Sequence, residues 1–175
     1  MADNAFERVA VIGAGTMGHG IAQVAAMAGM DVMLFDLGED AMMAGLDRIH
    51  GNLDKGVDRG KVTEAQREET LERIAGTTEL QVAVESADLV IEAVPEKLEL
   101  KQSLFRSVAE HAPEDCVYGT NTSSLSVAKI ASAVPDPSRV VGLHFFNPVH
   151  IMKLLEVITH DGTGEDVVDR IKAFG

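Results

Sequence analysis

Apolar residues in this chain fall into two kinds of pattern. Short unbroken runs, such as Val9 to Ile12, Val32 to Phe35 and the DLVIEAV stretch from Asp88 to Val94, suit strands buried on both faces. Between them lie stretches with apolar residues spaced at three or four, as in helices with one face on a core. Met17 to Gly29 is the first of these, rich in alanine and ending at a glycine suited to the left-handed residue of a helix terminus. Ala41 to Gly56 carries Met42, Leu46, Ile49 and Leu53 along one edge. Thr63 to Ile74 opens with Thr63 and Gln66 in capping-box spacing. The glycine-punctuated GVDRGK joins these two, so a helical hairpin is predicted between the second and third strands.

A regular alternation follows. Strands are expected at Gly76 to Leu80, Asp88 to Val94, Asp115 to Gly119, Arg139 to Leu143 and Leu154 to Ile158. Helices are expected at Leu98 to His111, Leu125 to Val134 and Glu165 to Phe174. The pattern predicts an α/β fold: a doubly wound, mostly parallel sheet with helices on both faces and the hairpin as an insertion. Residues 1–175 are expected to form this one domain, long enough to bury roughly 70% of the unfolded surface.

Between the first strand and first helix, Gly13, Gly15 and Gly18 stand in G-x-G-x-x-G spacing, and the second strand ends on Asp36. Alone the glycines are weak evidence; strand, loop, helix, strand and acid together point to a dinucleotide. Gly13 permits the tight turn, Gly15 lets the backbone approach a pyrophosphate, and Gly18 lets the helix pack closely on the sheet. The pyrophosphate would meet unpaired N–H groups at the positive end of the helix dipole, with Thr16 and Met17 as further contacts. Asp36 can accept hydrogen bonds from ribose hydroxyls and would repel a 2′-phosphate, which favours NAD over NADP. Other α/β domains, among them methyltransferases and non-catalytic nucleotide sensors, also use such a turn.

Composition narrows the partners. A formal charge of −13 argues against nucleic acid, whose phosphates need clustered Lys and Arg. No apolar stretch approaches the ~20 residues that span a bilayer, and the N-terminus lacks the features of a signal peptide. Cys116 is the single cysteine, which rules out an intrachain disulfide and suggests a small core residue. A cytoplasmic protein without membrane contact is expected. His50, His111, His150 and His160 have no carboxylate or cysteine partner at metal-ligand spacing, so no metal is expected, and His19 is expected to neighbour the cofactor.

Four segments end strands with chemically loaded residues: EAVPEKLELK (Glu92 to Lys101), GTNTSSLS (Gly119 to Ser126), GLHFFNPVH (Gly142 to His150) and LLEVI (Leu154 to Ile158). In this order behind the glycine loop, they resemble the N-terminal, Rossmann-type NAD-binding domain of the 3-hydroxyacyl-CoA dehydrogenase family, which includes the 3-hydroxybutyryl-CoA dehydrogenases. The resemblance covers essentially the whole chain. It implies oxidation of the 3-hydroxyl of an acyl-CoA with NAD as cofactor, and a hairpin that contributes to CoA binding. It also implies that a helical domain follows, which forms a homodimer, closes the substrate cleft and supplies a further asparagine. This chain stops at Gly175, about where the first domain ends, and is expected to turn over poorly alone. Two other readings are a dinucleotide-binding module without turnover and a dehydrogenase for another hydroxy acid.

Carried over residue by residue, the resemblance makes His144 of HFFNP the catalytic histidine, Glu156 its paired carboxylate, and Ser123 of NTSSL the hydrogen-bonding partner of the substrate oxygen. Glu96, Lys101 and Asn147 match positions lining the cofactor site. The residue types suit the chemistry. A secondary alcohol loses its proton to a base, and histidine titrates near neutrality. Glu156 in an otherwise apolar strand needs a partner, and pairing would fix the imidazole tautomer. A serine hydroxyl can bond the oxygen in either oxidation state. Blander readings exist beside these: a packed strand-end histidine for His144, a helix cap for Ser123 (with Ser124 able to take either role), solvated charge for Glu96 and Lys101, and a turn residue for Asn147.

Overall fold

The computed structural model describes residues 5–175 and builds a single sheet from the alternating elements. Six strands run parallel: β1 (Arg8–Ile12), β2 (Asp31–Phe35), β3 (Ile74–Thr77), β4 (Leu89–Glu92), β5 (Val117–Thr120) and β6 (Val140–Phe145). A final strand, β7 (Leu155–Ile158), lies antiparallel on β6. Their spatial order is β3-β2-β1-β4-β5-β6-β7. The chain therefore builds outward from β1 in one direction, returns, and builds outward in the other. The reversal between β1 and β4 leaves a crevice at the strands' carboxyl ends, where such sheets bind ligands.

Helices α1 (Gly18–Met27), α2 (Glu39–Asp58), α3 (Glu64–Glu72), α4 (Leu80–Val84), α5 (Leu98–Ala109), α6 (Val127–Ala131) and α7 (Glu165–Phe174) cover the sheet. Alternate residues of a strand face opposite ways, and the core divides accordingly. Val9 and Val11 of β1 join Ile21, Ile49, Leu53 and Ile171 in one cluster. Ala10 and Ile12 join Val84, Phe105, Val108 and Ile130 in the other. This is the doubly wound arrangement expected, with α2 and α3 as the inserted hairpin.

Local signals explain several boundaries. At the end of α1, Gly29 adopts φ +95°, its N–H reaches the Ala26 carbonyl at 2.9 Å, and the Met30 N–H reaches that of Ala25 at 3.2 Å. These are the two bonds of a Schellman cap. Before α3, the Gln66 N–H donates to Thr63 Oγ1 at 3.1 Å and the Thr63 N–H donates to Gln66 Oε1 at 2.9 Å, completing the capping box. Cys116 is fully buried beside β5, and burial pushes its thiol up to about 12.

Elsewhere the structure departs from expectation. The expected strand at Gly76 to Leu80 lies earlier, because Ile74 pairs with Val32 and pulls the register back. The helix before it accordingly ends at Glu72. Leu80 instead opens α4, five residues long, which buries Ala83 and Val84 but has no side-chain cap to announce it. The helix expected from Leu125 begins at Val127, capped by Ser126, whose Oγ accepts from the Lys129 N–H at 3.3 Å.

Two glycines of the loop separate folding from binding. A Cβ on Gly18 would overlap the Gly13 carbonyl, whereas one on Gly15 would meet nothing within 4 Å. Gly18→Ala is therefore expected to lower stability by about 1–3 kcal/mol in urea denaturation, as overpacking does. Gly15→Ala is expected to leave the denaturation midpoint unchanged but weaken NADH binding at least about tenfold, measured by nucleotide fluorescence. Equal midpoints for both variants would refute the distinction.

Candidate active site

The site is assembled from loops at the carboxyl edge of the sheet. Gly13 holds φ +102°, and a side chain there would stand 2.9 Å from the Ala93 carbonyl oxygen, so the turn fits only against the end of β4 without one. The Gly13 N–H donates to the Phe35 carbonyl at 2.8 Å and the Ala14 N–H to Asp36 Oδ2 at 2.9 Å. Asp36 thus ties the loop to β2 through one oxygen. Its Oδ1 is only weakly engaged, 3.5 Å from the Gly38 N–H. His19 Nδ1 lies 2.7 Å from the Gly15 carbonyl and steadies the other side of the loop.

These features suit a dinucleotide. The amides of Gly15, Thr16 and Met17, at the start of α1, donate to no acceptor among the described residues. Unpaired amides at a helix N-terminus hold a pyrophosphate well. Beside them opens a cleft of about 850 Å³, lined by Gly13, Gly15 and Asp36 and by apolar Leu37, Val94 and Leu104. The walls suit an adenosine: a carboxylate for the ribose and an apolar slot for the ring.

Further along the same edge, β6 and β7 place His144 directly opposite Glu156. Directly paired residues of an antiparallel ladder point to the same face. His144 Nδ1 accordingly lies 2.8 Å from Glu156 Oε2. With Nδ1–H donating to the carboxylate, Nε2 is left to give or take a proton. The Phe146 ring packs 4.4 Å from the imidazole, centre to centre. Glu156 differs from expectation in its surroundings. Its side chain is 53% exposed, because β7 is an edge strand, so burial does not force the pairing.

Ser123 is exposed in the β5–α6 loop, and its N–H donates to Glu96 Oε1 at 3.3 Å. Since Ser126 caps α6, Ser123 is not needed as a cap. Glu96 also accepts from Thr122 Oγ1 and sits 3.3 Å from Lys101 Nζ. Desolvation pulls the Glu96 carboxyl upward, but the bonds from Thr122 and Lys101 outweigh it and hold it below its usual range. Asn147 is exposed in the turn after β6, joined to Pro148 by a cis peptide.

Lys101 is wholly buried rather than solvated charge, and its Nζ donates to Glu92 Oε1 at 2.7 Å and to the Asn121 carbonyl at 2.9 Å. Glu92, also fully buried, accepts from Thr120 Oγ1 as well, and desolvation raises its carboxyl despite the Lys101 cation. Sequence reasoning passed over Glu92, Thr120 and Asn121. The available signal was Glu92 itself, a carboxylate inside the apolar run DLVIEAV. Among the described residues, no group of three His, Cys, Asp or Glu is placed to hold a metal, and no helix is long and apolar enough to cross a membrane.

A glycine loop at a sheet's switch point defines a nucleotide-binding α/β domain, here with a histidine–carboxylate contact along the same edge. Residues 8–175 match the family model described as 3-hydroxyacyl-CoA dehydrogenase, NAD binding domain, and the chain belongs to that family. It is 47% identical over 165 residues to the 3-hydroxyadipyl-CoA dehydrogenase of Escherichia coli K12, covering 94% of this chain and 34% of that protein. It is 41% identical over 172 residues to the 3-hydroxybutyryl-CoA dehydrogenase of Mycobacterium tuberculosis H37Rv, covering 98% and 60%. Among solved structures, the (S)-3-hydroxybutyryl-CoA dehydrogenase of Ralstonia eutropha superposes with a TM-score of 0.92 at 34% identity, over 97% of this chain and 61% of that one. The chain thus spans between a third and three-fifths of the length of these relatives.

The position of Asp36 generates a measurable preference. NADH is expected to bind more tightly than NADPH in parallel calorimetric titrations, because the Asp36 carboxylate repels a 2′-phosphate. Asp36→Ala is expected to narrow the difference, chiefly by weakening NADH, and equal affinities in the unaltered chain would contradict the charge argument.

Proposed function

We propose that this domain serves the reversible NAD-dependent oxidation of an L-3-hydroxyacyl-CoA to the 3-oxoacyl-CoA, with His144 as base and acid. The observation that carries the reading is the His144–Glu156 contact of 2.8 Å on the same sheet edge as the glycine loop. Bound NAD supplies the acceptor for the hydride. The residues of the chain handle the proton. His144 Nε2 takes it from the 3-hydroxyl as the carbinol hydrogen leaves with its electron pair and the C=O forms. Glu156 stabilises the resulting imidazolium and holds its orientation. The Ser123 hydroxyl accepts from the alcohol or donates to the ketone, so one contact serves both directions. Glu96 and Asn147 are assigned to the cofactor side. In the reverse direction the imidazolium returns the proton to the carbonyl oxygen.

The acyl-CoA itself is assigned to a cleft completed by a further domain. Met27, Met152 and Leu154 are exposed around a second cavity of about 660 Å³ beside α1 and β7, an apolar surface suited to covering. Closure excludes water and fixes the reacting carbon, and misplacement by about 1 Å can cost about 10²-fold.

Replacing the pair tests the chemistry. In the natural full-length protein, His144→Gln is expected to lower kcat for acetoacetyl-CoA reduction by about 10²- to 10⁴-fold with NADH affinity nearly unchanged. Glu156→Gln is expected to lower kcat as well, because neutral glutamine cannot stabilise an imidazolium. Near-normal turnover in either variant would remove the pair from the mechanism. The 175-residue chain by itself is expected to bind NADH but reduce acetoacetyl-CoA at a small fraction of the full-length rate, compared at equal cofactor saturation. Equal rates would show its cleft to be complete.

A further inference from the structure

We infer that Glu92 and Lys101 form a buried positioning pair that sets the places of Ser123 and His144, an inference that rests on the dehydrogenase reading above. Glu92 ends β4 and Lys101 lies in α5; neither is exposed at all. The Lys101 ammonium stands between three backbones at the carboxyl edge of the sheet. It donates to Glu92 at 2.7 and 3.0 Å, which ties it to β4. It donates to the Asn121 carbonyl at 2.9 Å, which fixes the start of the β5–α6 loop. It lies 3.3 Å from Glu96 Oε2, which draws in the β4–α5 loop.

From two of these anchors, Glu96 and Asn121, hydrogen bonds reach the backbone of Ser123 and of Phe145, the neighbour of His144. Glu96 Oε1 accepts from Thr122 Oγ1 and from the Ser123 N–H. Asn121 Oδ1 accepts from the Phe145 N–H at 3.1 Å, next along the chain from His144. The ammonium therefore controls Ser123 from both sides and His144 through its neighbour. Thr120 Oγ1 donates to Glu92 and turns the carboxylate toward the lysine.

The energetics point to placement rather than stability. Desolvating two charges offsets most of their attraction, and apolar residues of similar volume often replace such a pair without loss of stability. What apolar residues cannot do is hold the Asn121 carbonyl and the Glu96 carboxylate in fixed directions. An ammonium committed to a strand end and two loops can. Glu92 supplies the opposite charge that keeps this cation affordable in the core. Neither residue touches substrate in this reading; both act through Ser123 and His144.

The test is a replacement that keeps the volume and removes the directionality. Glu92→Met with Lys101→Met, made together, is expected to leave the urea midpoint close to that of the unaltered protein. In the 175-residue chain, the amide resonances of Ser123 and Phe145 are expected to shift or broaden, although neither residue adjoins a substitution in sequence. In the natural full-length protein, kcat for acetoacetyl-CoA reduction is expected to fall about 10- to 100-fold, by more than any rise in KM for NADH. Glu92→Gln, isosteric and singly altered, serves if the double variant does not fold, and is expected to move the same two resonances. Glu92→Asp, which keeps the charge, is expected to recover part of the turnover. A folded variant with unmoved Ser123 and Phe145 resonances and full kcat would overturn the inference. If the unaltered full-length protein fails to reduce acetoacetyl-CoA, the dehydrogenase reading falls, and the two resonances alone decide whether the pair positions these loops.

Discussion

Three stretches of backbone meet at one point of this fold with no side chain between them. Gly18 of α1 sits on the Gly13 carbonyl, and Gly13 sits on the end of β4 at Ala93. That closeness seats the first turn of α1 at the sheet's reversal point, with the amides of Gly15, Thr16 and Met17 facing outward. Glycine costs about 0.5–1 kcal/mol of extra conformational entropy at each ordered position. Bonds from Gly13 to Phe35 and from Ala14 to Asp36 help offset it. The electrostatics agree. Among the helices of nine residues or more, α2, α3, α5 and α7 each carry an acid in their first turn, whereas α1 carries none. In a chain with a net charge of −13, the positive end of α1 is left for an anion from outside.

Much of this organisation is legible in the sequence because it is written at short range. The glycine spacing, Asp36, the Gly29 terminus and the Thr63–Gln66 box each act within a few residues, so pattern alone exposes them. What escapes is set by longer-range or weaker terms. β3 is an edge strand with Ala75 and Gly76 exposed, so its apolar signature is faint and its register comes from Val32. α4 is too short to show a periodicity. In the SSLS segment three serines compete for one cap, and only the folded chain selects Ser126. The burial of Lys101 is not legible because its partners lie at a strand end and in two separate loops. The single local hint was the carboxylate in DLVIEAV, which obliges a buried charge to find an opposite one.

The family resemblance and the geometry contribute different things to the site. Through the resemblance, HFFNP and LLEVI point to His144 and Glu156; the ladder says how the two meet. Glu156 in particular comes to His144 by strand register rather than by expulsion of an unpaired charge from the core, since its side chain is half in solvent. The contact orients the imidazole from one side.

The antiparallel return of β7 also has an evolutionary side. Because successive side chains on a strand alternate faces, sliding β7 by one residue would turn Glu156 away from His144 altogether, while a slide of two would bring another residue into its place. The pairing is therefore digital: intact or lost, with little in between. Between the strands, Phe146 packs on the imidazole and Val149 is buried in the core, while Ile151 to Leu154 are exposed. That exposed stretch can change to reshape the adjacent apolar surface, provided the two strands re-engage in the same frame. The His144–Glu156 contact thus stands or falls as one unit, while the exposed wall beside it can vary.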